Sequence, residues 1–94
     1  MAKHYVTMTH SVVTAASDSG TLLTANSNRR YALIINNGSQ PIFLMFDTAA
    51  STSQGIPIAA SGAYEMSTAY DNLTSGSIFV ISASLGDILV VEGS

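Results

Sequence analysis

Short apolar runs, separated by turn residues at intervals of about ten positions, constrain this sequence more than any other feature. The runs are rich in isoleucine, valine, phenylalanine and threonine, which suit the pleated surface of a β-strand. Strong polar helix formers are scarce, since Lys, Arg, Glu and Gln together supply only 7 of the 94 residues. The sequence therefore predicts one all-β domain, an antiparallel β-sandwich of jelly-roll-like or Greek-key type with seven to eight strands.

The turn residues divide the chain into predicted strands. These lie at residues 4–16, 21–25, 30–36, 42–46, 56–59, 63–68, 77–84 and 88–92. The Asn37-Gly38 pair predicts a hairpin with a loop longer than two residues, and a second hairpin is predicted across residues 85–87. Pro57 predicts an edge strand, because proline cannot donate a ladder hydrogen bond. Residues 1–25 are expected to form either an N-terminal arm or the first strands.

Several predicted strands are apolar on both faces. Successive side chains of a strand point to opposite faces, so Ala32 and Ile34 oppose Tyr31, Leu33 and Ile35. The runs at residues 42–46 and 88–91 repeat this pattern. Ninety-four residues leave little chain to cover a second apolar face. Either the N-terminal segment folds over it or another subunit does, and we favour the subunit.

The polar part of the composition excludes several kinds of partner. Charged residues are 10% of the chain, against roughly 25% in typical domains, and 14 serines and 9 threonines supply most of the polarity. The net charge is −3, and the only basic residues besides histidine are Lys3, Arg29 and Arg30. We therefore expect no nucleic-acid and no membrane partner. The absence of cysteine and of an apolar leader predicts a soluble protein made in a reducing cytoplasm.

Residues with catalytic or metal-binding chemistry form no recognisable pattern. His4 and His10 would lie roughly 20 Å apart on one strand, too far to share a metal ion. No two carboxylates have the spacing of a catalytic pair, and four of the six fall at predicted turns. Nucleophile-elbow and phosphate-loop motifs are also absent from the sequence. The sequence therefore predicts no enzyme activity, no cofactor and no metal site.

The residues that we expect at an interface are an arginine pair and the second apolar face of two strands. The arginine pair is interpreted either as an anchor for a partner's carboxylate or as a solvated pair beside a strand. Tyr5, Tyr31, Tyr64 and Tyr70 form either a platform for sugar rings or scattered core and rim positions. The predicted interface residues are Arg29, Arg30, Tyr31, Leu33, Ile35, Phe43 and Met45.

The middle and the end of the chain carry a connected set of motifs. An Arg-Arg-aromatic strand leads into an Asn-Asn-Gly-Ser-x-Pro turn, a second apolar strand and a Thr-Ala-rich loop. Gly-Ile-x-Ile, Ser-Gly-x-Tyr-Glu and a closing segment that ends in Val-Glu-Gly follow. With these motifs, residues 28–66 and 76–93 resemble small virion-associated β-sandwich proteins of tailed bacteriophages. Residues 1–25 match no part of that pattern.

The resemblance implies a capsid decoration, or cement, protein. Such a protein is a homo-oligomer, commonly a trimer, that bridges major capsid proteins on the capsid surface. The expected partners are therefore further copies of the chain and the major capsid protein, and the expected location is the virion, after synthesis in the host bacterial cytoplasm. Two other roles remain open: a receptor- or carbohydrate-binding module of a head fibre or tail spike, and a tail or connector component.

Overall fold

Eight β-strands form the regular structure of the chain in a computed structural model that describes residues 7–48, 55–70, 72–83 and 85–94. The strands are β1 (Met8–Ala15), β2 (Gly20–Leu23), β3 (Tyr31–Asn36), β4 (Ile42–Phe46), β5 (Ile56–Ile58), β6 (Ala63–Ser67), β7 (Ile78–Ser82) and β8 (Gly86–Gly93). Each strand falls on one of the predicted runs, with differences at the ends. The prediction of an all-β fold is confirmed.

The strands form two four-stranded antiparallel sheets. Sheet I has the order β1-β8-β3-β6, and sheet II has the order β2-β7-β4-β5. Successive strands along the chain alternate between the two sheets, except that β5 follows β4 in sheet II. This order is that of the eight-stranded jelly roll, in which two Greek keys form the two sheets. Of the two predicted sandwich types, the jelly roll is the one observed.

The core lies between the two sheets. It is built from the inward side chains of all eight strands, which alternate with outward ones as the pleat requires. These inward residues are Ala15, Leu22, Ala32, Ile34, Ile42, Leu44, Ile58, Met66, Ile78, Val80, Ile88 and Val90. Their close packing fixes the register of both sheets, because a shift by one residue would turn each strand inside out.

The two predicted hairpins are wrong. β3 and β4 follow one another across the Asn37-Gly38 pair but lie in different sheets, and the same holds for β7 and β8. Gly38 instead lies against Gly86, where a Cβ on Gly38 would be 3.1 Å from the Gly86 Cα. The glycine therefore serves a close approach of two backbones rather than a tight hairpin turn. β8 also begins at Gly86, inside the predicted turn at residues 85–87.

The predicted edge strand is confirmed. β5 is the last strand of sheet II and pairs with β4 alone, with Pro57 opposite Phe43. A proline is tolerated there because its missing N–H does not interrupt a second ladder.

Candidate interaction surface

Sheet I carries an apolar outer face. Residues that are paired across neighbouring strands point to the same side of a sheet. The register of sheet I therefore shows which side chains form each row of its outer face. One row across the sheet is Val12, Leu89, Ile35 and Ala63, and the next is His10, Val91, Leu33 and Glu65. A third row contains Met8 and Tyr31. We call these outward side chains the sheet I outer face; most of them are apolar.

The sheet I outer face is open to solvent at the β1 side. Val12 is 61% exposed and Met8 is 49% exposed. A shallow depression of about 330 Å³ lies between β1, β8 and β3, lined mainly by His10, Val12, Ile35 and Leu89. Contiguous exposed apolar surface of this kind marks sites where proteins bind other molecules.

Sheet II carries a second apolar patch on its own outer side. Phe43 lies opposite Ile81, and Met45 lies opposite Phe79. All four side chains are partly exposed. We call them the sheet II outer face. The predicted interface residues therefore separate into two groups on opposite sides of the sandwich, with Tyr31, Leu33 and Ile35 on one side and Phe43 and Met45 on the other.

Arg29 is not a surface residue, so the prediction that placed both arginines at the surface is wrong for it. Arg29 is only 3% exposed. Its guanidinium donates to the Glu92 carboxylate at 2.7 Å and to the backbone oxygens of Thr24, Thr74 and Gly76 at 2.6–2.9 Å. A buried arginine needs this full set of acceptors because burial removes it from water. The planar fork of donors is suited to holding several acceptors at once.

Arg30 differs from its neighbour. It is exposed, and its backbone N–H donates to the Gly93 oxygen. Only Arg30 of the pair is accessible to a partner.

A tyrosine–carboxylate cluster lies at the β3–β6 side of sheet I. The Tyr31 hydroxyl donates to the Glu65 carboxylate at 2.5 Å. A hydrogen bond to Glu65 is also the main cause of the raised pKa of both Tyr31 and Tyr70, since the carboxylate stabilises the protonated hydroxyl. Tyr70 is 62% exposed. Tyr31 and Glu65 are diagonal neighbours across the β3–β6 pair, so a known strand pairing would have predicted their contact.

The four tyrosines do not form one platform. Tyr64 points inward, and its ring packs against Phe46 with 6.3 Å between the ring centroids. Tyr31 and Tyr70 share Glu65 on the outside. Tyr5 lies outside the described residues.

Of the remaining polar candidates, one histidine lies among the described residues. His10 is exposed on β1, whereas His4 and Asp71 lie outside the described residues. Within the ranges described, no three His, Asp or Glu side chains are close enough together to hold a metal ion. In the same ranges, no helix has the length and apolarity needed to cross a membrane.

Comparisons with known proteins give a structural likeness but no likeness in sequence. No known family matches the sequence, and no curated protein matches it. Among solved structures, a chain from Bacillus endospore appendages, described as a novel family of disulfide-linked pili, matches with a TM-score of 0.47 and 13% identity. The match covers 99% of this chain and 92% of that chain.

Proposed function

We propose that this chain is a non-enzymatic structural protein of a tailed-phage virion, where it decorates the capsid surface. Copies of the chain associate with each other and bridge neighbouring major capsid proteins. The observation that carries the proposal is that both sheets of the sandwich are apolar on their outer faces as well as in the core. The sequence motifs of residues 28–66 and 76–93 support the assignment to a virion.

The outer faces supply the free energy for association. Burying one leucine, isoleucine or phenylalanine side chain is worth about 1.5–3 kcal/mol. A stable interface between proteins buries about 800 Å² on each partner. Charged residues are depleted at the centres of protein interfaces, and the apolar rows of the two outer faces carry few of them.

Bridging explains how such a protein strengthens a shell. A subunit that binds two capsid proteins at once must be released before they separate, so the assembled state is favoured by mass action. The rigid jelly roll holds the bridging surfaces at a fixed distance. The β4–β5 loop is a candidate contact; Asp47 and Thr48 begin it, and residues 49–54 lie outside the described residues.

Capsids that lack this protein provide the test. We expect them to lose their DNA at a lower temperature than complete capsids. Addition of the purified chain should restore the temperature of DNA loss to that of complete capsids. The Phe43→Asn variant, which makes the sheet II outer face more polar, should restore less of this heat resistance than Ser27→Asn, a matched change at an exposed turn. Equal heat resistance of capsids with and without the chain would contradict the cementing role.

Copy number separates decoration from a tail or connector role. A decoration protein should be present in numbers comparable to those of the major capsid protein. The few copies expected of a tail ring would instead favour the connector role. Quantitative mass spectrometry of purified particles measures this ratio.

A second candidate function, carbohydrate binding, is favoured by the Tyr31–Glu65–Tyr70 cluster. Aromatic rings stack on sugar rings, and a carboxylate accepts hydrogen bonds from sugar hydroxyls. If the chain binds a glycan on an array, Tyr70→Ala should abolish that binding and Tyr64→Phe should leave it unchanged. An array on which the wild-type chain binds no glycan would exclude this candidate.

A further inference from the structure

Three of the four edge strands in the sandwich are protected against pairing with another strand. β5 has three residues and contains Pro57. β2 has four residues, and its register shifts between Thr21 and Leu23. β6 is capped by the Asn72 side chain, which accepts from the Ser67 N–H and donates to the Glu65 carbonyl, both at 3.0 Å. Short length, proline, irregular pairing and capping are the ways in which natural sheets block their edges.

The fourth edge strand, β1, has none of these protections. It runs for eight residues in regular register with β8 and contains no proline and no Lys, Arg, Asp or Glu. Its first five residues are exposed. Among the described residues, no strand lies on its other side. Such an edge is a ready template for a further strand.

The backbone groups that β1 leaves unpaired can be identified from its ladder. Thr7 and Ser94 exchange both backbone hydrogen bonds, at 2.8 and 3.1 Å. Hydrogen-bonded pairs alternate along an antiparallel ladder, so the odd-numbered residues of β1 bond to β8. The N–H and C=O groups of the even-numbered residues point away from it. These residues are Met8, His10, Val12 and Thr14.

We propose that the free edge of β1 pairs antiparallel with β1 of a second copy of this chain, about a two-fold axis at Ser11. Met8 then lies opposite Thr14, and His10 lies opposite Val12. Each of the four residues whose backbone groups point away from β8 then pairs with a residue of the other copy, with two backbone hydrogen bonds for each pair.

Two observations favour a second copy as the occupant. β1 contains no Asp, Glu, Lys or Arg, so two copies of it can lie side by side without bringing like charges together. Pairing with β6 of another copy would displace the Asn72 cap, and the two other edges are short. The isologous contact therefore displaces no existing hydrogen bond and joins the two longest free edges.

The pairing joins two sheets into one of eight strands and continues the apolar rows of the sheet I outer face across the axis. It deepens the proposed function by naming one surface through which copies associate. A two-fold contact gives a dimer and not the trimer that the resemblance implies. The tests below use the free protein, whereas the proposed function is tested on capsids, so either can fail without the other.

A cysteine at the axis tests both the occupant and the register. The two Ser11 residues would form a non-hydrogen-bonded pair with Cα atoms about 4.5 Å apart, a separation that permits a disulfide. The chain has no cysteine of its own. Ser11→Cys should therefore give a covalent dimer on mild oxidation, much faster than Ser27→Cys at an exposed turn. Equal rates for the two variants would overturn the proposal.

A proline at position 12 tests whether the free backbone edge of β1 makes the contact. Val12→Pro removes an N–H that points away from β8, so the internal ladder is retained. Val12→Thr keeps the amide and changes the side chain to a similar volume. Light scattering should give twice 9.8 kDa for the wild type and Val12→Thr, and 9.8 kDa for Val12→Pro. A wild-type monomer or trimer, or a folded Val12→Pro variant of unchanged mass, would contradict the proposed pairing.

Discussion

The guanidinium of Arg29 holds together three parts of the sandwich that are far apart along the chain. It bonds the segment after β2, the segment before β7 and the end of β8 through Thr24, Gly76 and Glu92. Because the arginine is buried, these bonds are made in a region of low dielectric, where losing one partner is costly. Arg29 is therefore a structural residue at the end of the sandwich.

We expect Arg29→Ala to lower the free energy of unfolding by about 3 kcal/mol, since it removes the charged partner of Glu92 and the side-chain donor to three carbonyl groups. Arg29→Lys should lower it by about 1–2 kcal/mol, because an ammonium cannot reach all four acceptors. The control, Arg30→Ala, should change it by less than about 0.5 kcal/mol. Urea unfolding measures all three. Equal stability of the two alanine variants would contradict this role.

The Glu65 carboxylate should control the titration of the nearby tyrosines. Its hydrogen bond raises the pKa of Tyr31 and Tyr70 in the folded chain. A group whose pKa is raised by folding stabilises the fold below its unfolded pKa, about 10 for tyrosine, and loses that contribution as the pH rises through the folded pKa. Glu65→Gln should shift the ultraviolet titration of tyrosine to lower pH. An unchanged titration would show that the carboxylate does not act on these hydroxyls.

At the residue scale, the sequence predicted which side chains are apolar and outward but not which polar ones are buried. Arg29 lies just before the predicted strand at residues 30–36 and Asn36 ends it, and polar residues at such positions are usually solvated. Asn36 is instead fully buried and donates to the carbonyls of Gln40 and Ile58. Three of the four acceptors of Arg29, and Ile58 for Asn36, come from distant segments, so no local pattern could have indicated them.

At the scale of strands, the pattern of apolar runs placed all eight strands but did not determine how they pair. The predicted strand at residues 30–36 differs from β3 by one residue, and the one at residues 42–46 coincides with β4. The pairing was missed because strands that are apolar on both faces fit either sheet equally well. The Asn-Gly turn signal favoured a hairpin, whereas in the fold Gly38 allows the backbone to pass close to Gly86.

The close approach of these two segments predicts a specific sensitivity to a methyl group. Gly38→Ala should lower the free energy of unfolding by about 1–3 kcal/mol, because the new Cβ would lie 3.1 Å from the Gly86 backbone. Gly20→Ala is the matched control, since a Cβ added there would have no neighbouring atom within 4 Å. The control should be neutral or stabilise by up to about 1 kcal/mol. Thermal unfolding that is the same for both variants would contradict the predicted contact.

At the scale of the whole molecule, the two sides of one strand have different tasks. Ile34 is fully buried between the sheets, whereas Ile35 lies on the sheet I outer face. The inward side stabilises the protomer, and we propose that the outward side stabilises the assembly. The sequence predicted these two faces, because alternation along a strand is a local property. What covers the outward face is not encoded in that alternation.

Substitutions on the two sides should therefore separate folding from association. Ile34→Ala should lower the free energy of unfolding by about 2–5 kcal/mol through the cavity that it leaves, without changing the mass of the folded protein. Ile35→Ser should weaken binding of the chain to capsids that lack it and change the stability of the protomer much less. Urea unfolding and binding to capsids that lack the chain measure both effects, and light scattering checks the mass of the folded protein. Equal effects of the two variants on both measurements would contradict this division.

The most direct test of self-association is the mass of the purified wild-type chain, measured by light scattering over a series of concentrations. We expect a multiple of 9.8 kDa that falls towards 9.8 kDa only on dilution. A mass of 9.8 kDa at every concentration would show that copies of the chain do not associate with one another, and would contradict this account.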